Sequence, residues 1–137
     1  RLLNALRQFV EGVYVETGDR KMKKIRSIKD FLVLRRRTAT SESVIFMGAL
    51  HEEVPHEIFQ DRQPQKMFEL TIDLVGIHND LYSYNFERAR GLHGHNLVTM
   101  VMKEKGLNIQ GAFDHVAEVL NHIADEFTRH WNLLLFA

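Results

Sequence analysis

Apolar residues recur at helical spacing along most of the chain. Leu2, Leu3, Leu6, Phe9, Val10, Val13 and Tyr14 follow the three-and-four rhythm of one helix side. Gly18-Asp19 then reads as a stop before a basic loop, Arg20 to Arg26, expected to lie on the solvent-exposed surface. Ser27 and Asp30 have the spacing of a capping box, which opens a helix through Leu34 to about Arg36. Val44 to Leu50 carry a short apolar helix. Pro55 suits the first turn of another small one, and Pro64 that of a long helix that Gly91 ends. His95 to about Lys105 forms the next helix, closed by Gly106, and Asn108 caps a last one from Ile109 to about Leu134. With no strand alternation, internal repeat or low-complexity linker, the fold class is all-α. The short breaks predict an antiparallel helix bundle.

The long helix is apolar on more than one side. At about 100° per residue, Met67, Leu70, Leu74, Ile77 and Leu81 form one stripe. Asn79, Ser83 and Glu87 fall within a sector of roughly 80° nearly opposite to it. Toward the N-terminus this second face turns apolar at Gly76, Val75, Ile72 and Phe68, which predicts a polar mouth above an apolar well and a helix in the middle of a bundle.

Composition narrows the function classes. In 137 residues, 18 basic side chains balance 18 acidic ones, which offers no bulk attraction to nucleic acid or to a membrane surface. Anion recognition is therefore expected to be local. No cysteine is present, which excludes disulfides and thiolate metal sites and fits a reducing compartment. With no basic-then-apolar leader and no apolar run long enough to span a bilayer, the expectation is a soluble, cytoplasmic protein. Nothing in the sequence specifies an oligomeric state.

The candidate chemistry lies on the long helix. An amide oxygen, a hydroxyl and a carboxylate at Asn79, Ser83 and Glu87 form a hard, all-oxygen set suited to one magnesium ion, with room left for water and phosphate. The same residue types are common on solvated helix faces, so spacing alone leaves both readings open. Arg35, Arg36 and Arg37 are either a solvated helix end that favours the C-terminal dipole or a phosphate contact. Adjacent positions differ by about 100°, so one arginine should point inward with Leu32. His51 and His56 cannot share a helical face for zinc, because they are five apart and Pro55 intervenes. His93 and His95 read as a polar connection, and His115, His122 and His130 as surface or partly buried positions.

The run Asn79-Asp80-x-x-Ser83-x-x-x-Glu87 resembles the second metal motif of class I terpene synthases. The continuation through Tyr84-Asn85-Phe86, Gly91 and His95-Asn96-Leu97-Val98 is similar to the fungal sesquiterpene synthase branch. Upstream, Phe31-Leu32-Val33-Leu34-Arg35-Arg36-Arg37-Thr38 resembles the family's diphosphate-sensing segment, and downstream Val101 to Asn108 is similar to a helix, glycine stop and helix start of those enzymes. Residues 28–38 and 79–109 carry the strongest likeness.

The resemblance implies magnesium-assisted ionisation of an allylic isoprenoid diphosphate, farnesyl diphosphate above all, followed by cyclisation in a dry pocket. It implies Asn79, Ser83 and Glu87 as metal ligands, and Arg36, with Arg35 second, as the diphosphate contact. Phe68, Ile72, Val75 and Gly76 would form pocket wall. The sequence departs from the family pattern in four places. No acidic cluster occurs between Arg1 and Asp30 where a first aspartate-rich motif would precede the arginines, and no Arg-Tyr pair occurs near the C-terminus. Thr40 stands where the family often has glycine, and Phe86 where many bacterial relatives have lysine. Residues 1–137 are therefore expected to be the central and C-terminal-side part of one synthase domain, truncated at both ends and inactive alone. The rival reading is a non-catalytic helical binding module or a degenerate relative. A prenyl-chain elongase is disfavoured, because a second aspartate-rich motif is not found.

Overall fold

The computed structural model describes residues 2–39, 41–51 and 55–135. Thr40, the Glu52–Val54 part of the segment flanked by His51 and His56, and Phe136 and Ala137 lie outside the described residues. Every regular element among the described residues is helical. Six α-helices, α1 (Leu2–Lys21), α2 (Ile28–Thr38), α3 (Ser41–His51), α4 (Arg62–Ala89), α5 (Leu97–Lys105) and α6 (Ile109–Leu135), are joined by turns and two short 3-10 segments, His56–Gln60 and His93–His95.

Local chemistry sets most boundaries. Ser27 Oγ accepts from Asp30 N at 3.1 Å to open α2, Asp61 Oδ1 accepts from Gln63 N at 2.8 Å to open α4, and Asn108 Oδ1 accepts from Gly111 N at 2.8 Å to open α6. Gly91 and Gly106 follow α4 and α5 with φ of 70° and 65°, left-handed positions that glycine fills without a Cβ clash.

One expected stop is displaced. α1 runs through Gly18 and Asp19 to Lys21, and the chain turns at Lys23, whose φ is 50°. Lys24 N donates to Asp19 O at 2.9 Å and Lys23 N to Arg20 O at 3.2 Å, the paired bonds of a Schellman close with lysine in the usual glycine position. The basic loop is also not wholly solvent: Asp19 is buried at the end of α1 and accepts from Arg26, which is half-buried.

Directions follow from contacts along each pair. Arg37 meets Glu11 and Arg26 meets Asp19, so α2 runs back along α1. Lys66 approaches Glu126 while Tyr84 stacks edge-on with Phe113, so α6 runs back along α4. The α4–α5 passage departs from the expected reversal. It returns the chain to the level of Asp80, which accepts from Leu97 N, and α5 then advances until Met102 Sδ accepts from the Tyr84 hydroxyl. α5 therefore runs in the same sense as α4. His95 belongs to the 3-10 segment of this passage and is buried, because Asn96, not His95, caps the helix.

The α4 stripe read from periodicity faces the core. Ile77 and Tyr84 join Phe31, Leu97, Val98, Met100, Val101, Ala112 and Val116 in one buried cluster, and Leu81 packs against it. At about 25 cal/mol per Å² of apolar surface, each such fully buried side chain contributes roughly 1.5–3 kcal/mol, which holds α4 between α5 and α6 and orients its opposite face. Close packing sets α2 on the other side. A Cβ on buried Gly12 of α1 would lie 3.1 Å from both Arg37 Cβ and Thr38 Cγ2, so the missing side chain lets α2 approach.

Candidate metal centre

Asn79, Ser83 and Glu87 share one side of α4, with Asn79 exposed and the other two half-buried. Ser83 Oγ and Glu87 Oε1 are 2.6 Å apart, so hydroxyl and carboxylate already converge. Asn79 Oδ1 accepts from Arg35 Nη2 at 2.7 Å. Among the described residues no three histidine, cysteine, aspartate or glutamate side chains gather into a metal-binding group. A cation held on this face would therefore need the amide and hydroxyl oxygens beside its one carboxylate, a hard donor set that fits magnesium or a similar divalent ion.

Arg35 and Arg36 point to different places. Arg35 Nη2 lies 2.7 Å from Asp80 Oδ1 as well as from Asn79, and its Nε is buried without a hydrogen-bond partner. Arg36, ranked first in sequence, makes a two-pronged contact with Asp73, at 2.7 Å through Nε and 2.7 Å through Nη2. Hydrogen bonding to Asp73 raises the Arg36 pKa above its ordinary value against the opposing effect of burial. Arg35 is thus the arginine beside the metal-capable face. Arg88 lies on another side, where it lines a cavity with Tyr84, His93 and Met102.

Sequence reasoning singled out neither Asp80 nor Asn96, although both shape this face. Asp80 is buried; its Oδ2 accepts from Leu97 N at 2.9 Å at the start of α5, and its Oδ1 meets Arg35. Burial pushes the Asp80 carboxyl up to about 6, against the downward pull of Arg35. Asn96 is buried too. Its Oδ1 accepts from Val98 N at 3.0 Å, and its Nδ2 donates to Asp80 O at 2.8 Å and to Glu87 Oε2 at 3.1 Å. An asparagine directly before an apolar helical run is the cap signature that could have marked Asn96. No local signal marks the long-range bond to Glu87.

A cleft of about 460 Å³ opens on the α2–α3–α4 side and is lined by Val33, Arg36, Phe46, Ile58, Phe68 and Ile72 among others. Phe46 and Phe68 stack at 5.3 Å between ring centroids. Of the wall residues expected from sequence, Phe68 and Ile72 line this cleft. Val75 is half-exposed outside it, and buried Gly76 lies under α2, where a Cβ would meet Arg35 Cγ at 3.5 Å.

Residues 1–126 match the family model described as terpene synthase family 2, C-terminal metal binding. The chain is 30% identical over 131 residues to a Delta(6)-protoilludene synthase of Hypholoma sublateritium, covering 96% of this chain and 40% of that protein. It is 36% identical over 115 residues to a viridiflorene synthase of Cyclocybe aegerita, covering 82% of this chain and 30% of that one. A solved linalool/nerolidol synthase of Streptomyces clavuligerus has the same fold, with a TM-score of 0.87 at 23% identity over 95% of this chain and 45% of its own. An a-eudesmol synthase superposes with a TM-score of 0.82 at 24% identity over 96% of this chain and 42% of its own. The chain thus spans between 30% and 45% of the length of these relatives. No helix among the described residues is long and apolar enough to cross a membrane.

Proposed function

The chain belongs to the terpene synthase family, and we propose that it is the central and C-terminal-side part of a longer enzyme that ionises an allylic isoprenoid diphosphate and cyclises the hydrocarbon. Farnesyl diphosphate is the substrate favoured by the likeness to fungal sesquiterpene-forming synthases. The observation that carries this reading is the convergence of Ser83 Oγ and Glu87 Oε1 at 2.6 Å on the face that also bears Asn79 and the Arg35 guanidinium.

In this reading Asn79, Ser83 and Glu87 hold one magnesium ion. Such an ion supplies positive charge where negative charge grows on the departing diphosphate oxygens. Asn96 fixes one Glu87 oxygen and leaves the other beside Ser83. Arg35, beside Asn79, and Arg36, by exchanging its two-pronged contact with Asp73, would supply charge-assisted contacts to diphosphate oxygens that need no proton transfer. Phe68 and Ile72 contribute apolar wall that keeps water from a carbocation, and aromatic faces favour passing positive charge. The cysteine-free composition suits a cytoplasmic enzyme. The 137-residue piece alone is expected not to turn over, since one ligand face and part of a wall do not enclose the substrate.

The test is turnover of farnesyl diphosphate by the longer enzyme, with products identified by gas chromatography. Activity should require magnesium and drop at least a hundredfold in Glu87→Gln. Undiminished turnover in chelator, or in that variant, would overturn the proposal.

A further inference from the structure

Where the α1–α2 loop meets the α4–α5 passage, a cavity of about 320 Å³ is lined by Asp19, Arg20, Lys23, Lys24, His93 and His95, with small and apolar residues between them. Its charges do not cancel. Asp19 is paired with Arg26, and Glu16 with Arg20, which leaves the ammonium groups of Lys23 and Lys24 as the surplus. Both lysines are exposed, and no ion pair to either occurs among the described residues.

The inner wall is a built polar surface. The His95 side chain is only 3% exposed, and its Nε2 has no hydrogen-bond partner; the nearest carboxylate oxygen, Asp19 Oδ2, stands 3.6 Å away and is already taken by Arg26. His93 Nδ1 is likewise buried and unpartnered, on a ring that lines both this cavity and the one beside Tyr84 and Arg88. Burial lowers the His95 pKa from its ordinary value, although Glu16 and Asp19 pull the other way; burial thus favours the neutral ring, which keeps one ring N–H to donate. Buried polar groups left unpaired are costly, and two of them around one cavity mark a place where acceptor oxygens would complete the set.

We propose that this cavity binds a small phosphate-type oxyanion, with Lys23 and Lys24 supplying charge and His95 Nε2 and His93 Nδ1 supplying inner hydrogen bonds. The site is separate from the metal-capable face of α4, needs no divalent ion, and stands whether or not the longer protein cyclises a terpene. Inorganic phosphate, diphosphate and a phosphate monoester share the required chemistry.

The test is titration of the 137-residue chain, in chelator, with orthophosphate, pyrophosphate and glycerol phosphate separately. Imidazole resonances are followed by NMR and heat by calorimetry. A saturable shift at His95 and His93, with His115 and His122 unmoved, is expected for at least one anion, and the ranking of the three identifies a free phosphate, a diphosphate or an ester as the fitting source. Lys24→Gln should weaken binding about fivefold, the value of one charge at close range in water. Lys23→Gly should weaken it similarly while raising the melting temperature, because glycine relieves a left-handed residue. Opposite movement of affinity and stability separates lost charge from lost fold. No saturable His95 shift with any of the three anions, or an affinity in both variants unchanged from that of the native chain, would overturn the assignment.

Discussion

The side-chain amide of Asn96 donates to Glu87 Oε2 at 3.1 Å, so the carboxylate that ends the metal-capable face of α4 is held from the start of the next helix. The same amide donates to Asp80 O, and the same residue caps α5. Fold stability and the orientation of the Glu87 carboxylate thus depend on one buried side chain.

Asn96→Ala should lower stability by about 2–4 kcal/mol, from the lost cap together with the lost bond to the Glu87 carboxylate. Urea denaturation measures this. A change below about 0.5 kcal/mol would show that the amide carries none of that structure.

Asp80 should make stability depend on acid. Its folded pKa, about 6, lies above the ordinary 3.8, so the contribution of this group is fully present below pH 3.8 and is lost as pH rises through 6. Asp80→Asn should remove that slope. Between pH 4 and pH 7 the stability of the variant relative to the native chain should shift in the variant's favour by up to about 3 kcal/mol. His95 acts in the opposite direction: its lowered pKa contributes stability above about pH 6.5 that falls away on acidification, so the comparison must be between variants and not of one curve alone. A constant difference across this range would contradict the burial argument.

The two arginines should separate cleanly. Arg35→Ala leaves buried Asp80 without its guanidinium and should cost about 3 kcal/mol near pH 7, less below pH 6 where the carboxyl takes up a proton. Arg36→Ala breaks a pair whose arginine is 45% exposed, so its cost should stay under about 1 kcal/mol. Thermal or urea unfolding at two pH values reads both. Equal losses would mean that Asp80 is not the partner that matters.

Ser83→Ala should leave the fold nearly intact, within about 1 kcal/mol, because it removes one half-buried hydroxyl bond. In the longer enzyme with pyrophosphate, manganese affinity measured by electron paramagnetic resonance should fall about tenfold or more, no less than for losing a group that merely supports a ligand. Unchanged affinity would remove serine from the ligand set.

Much of the fold is written in short-range patterns. The α4 core stripe through Ile77 and Leu81 follows from the helical period, and Ser27, Asn108, Gly91 and Gly106 act through neighbours within a few residues. The reading failed where a local signal had a tertiary competitor. Gly18-Asp19 looks like a stop, yet Asp19 remains helical and pairs with Arg26 from the following loop. His95 looks like a helix start, yet it lies buried in the passage before Asn96, near Asp19 and Phe31.

The shared side of Asn79, Ser83 and Glu87 was determined by sequence alone, because residues four apart on an α-helix lie above one another whatever surrounds them. Which arginine stands beside that side was decided only in the folded chain. Gly12 lets α2 come close to α1, Arg35 lies over Gly76, and Arg36 is left to Asp73. The rotation of one helix against another is set by packing between distant parts of the chain, and no spacing within either helix encodes it.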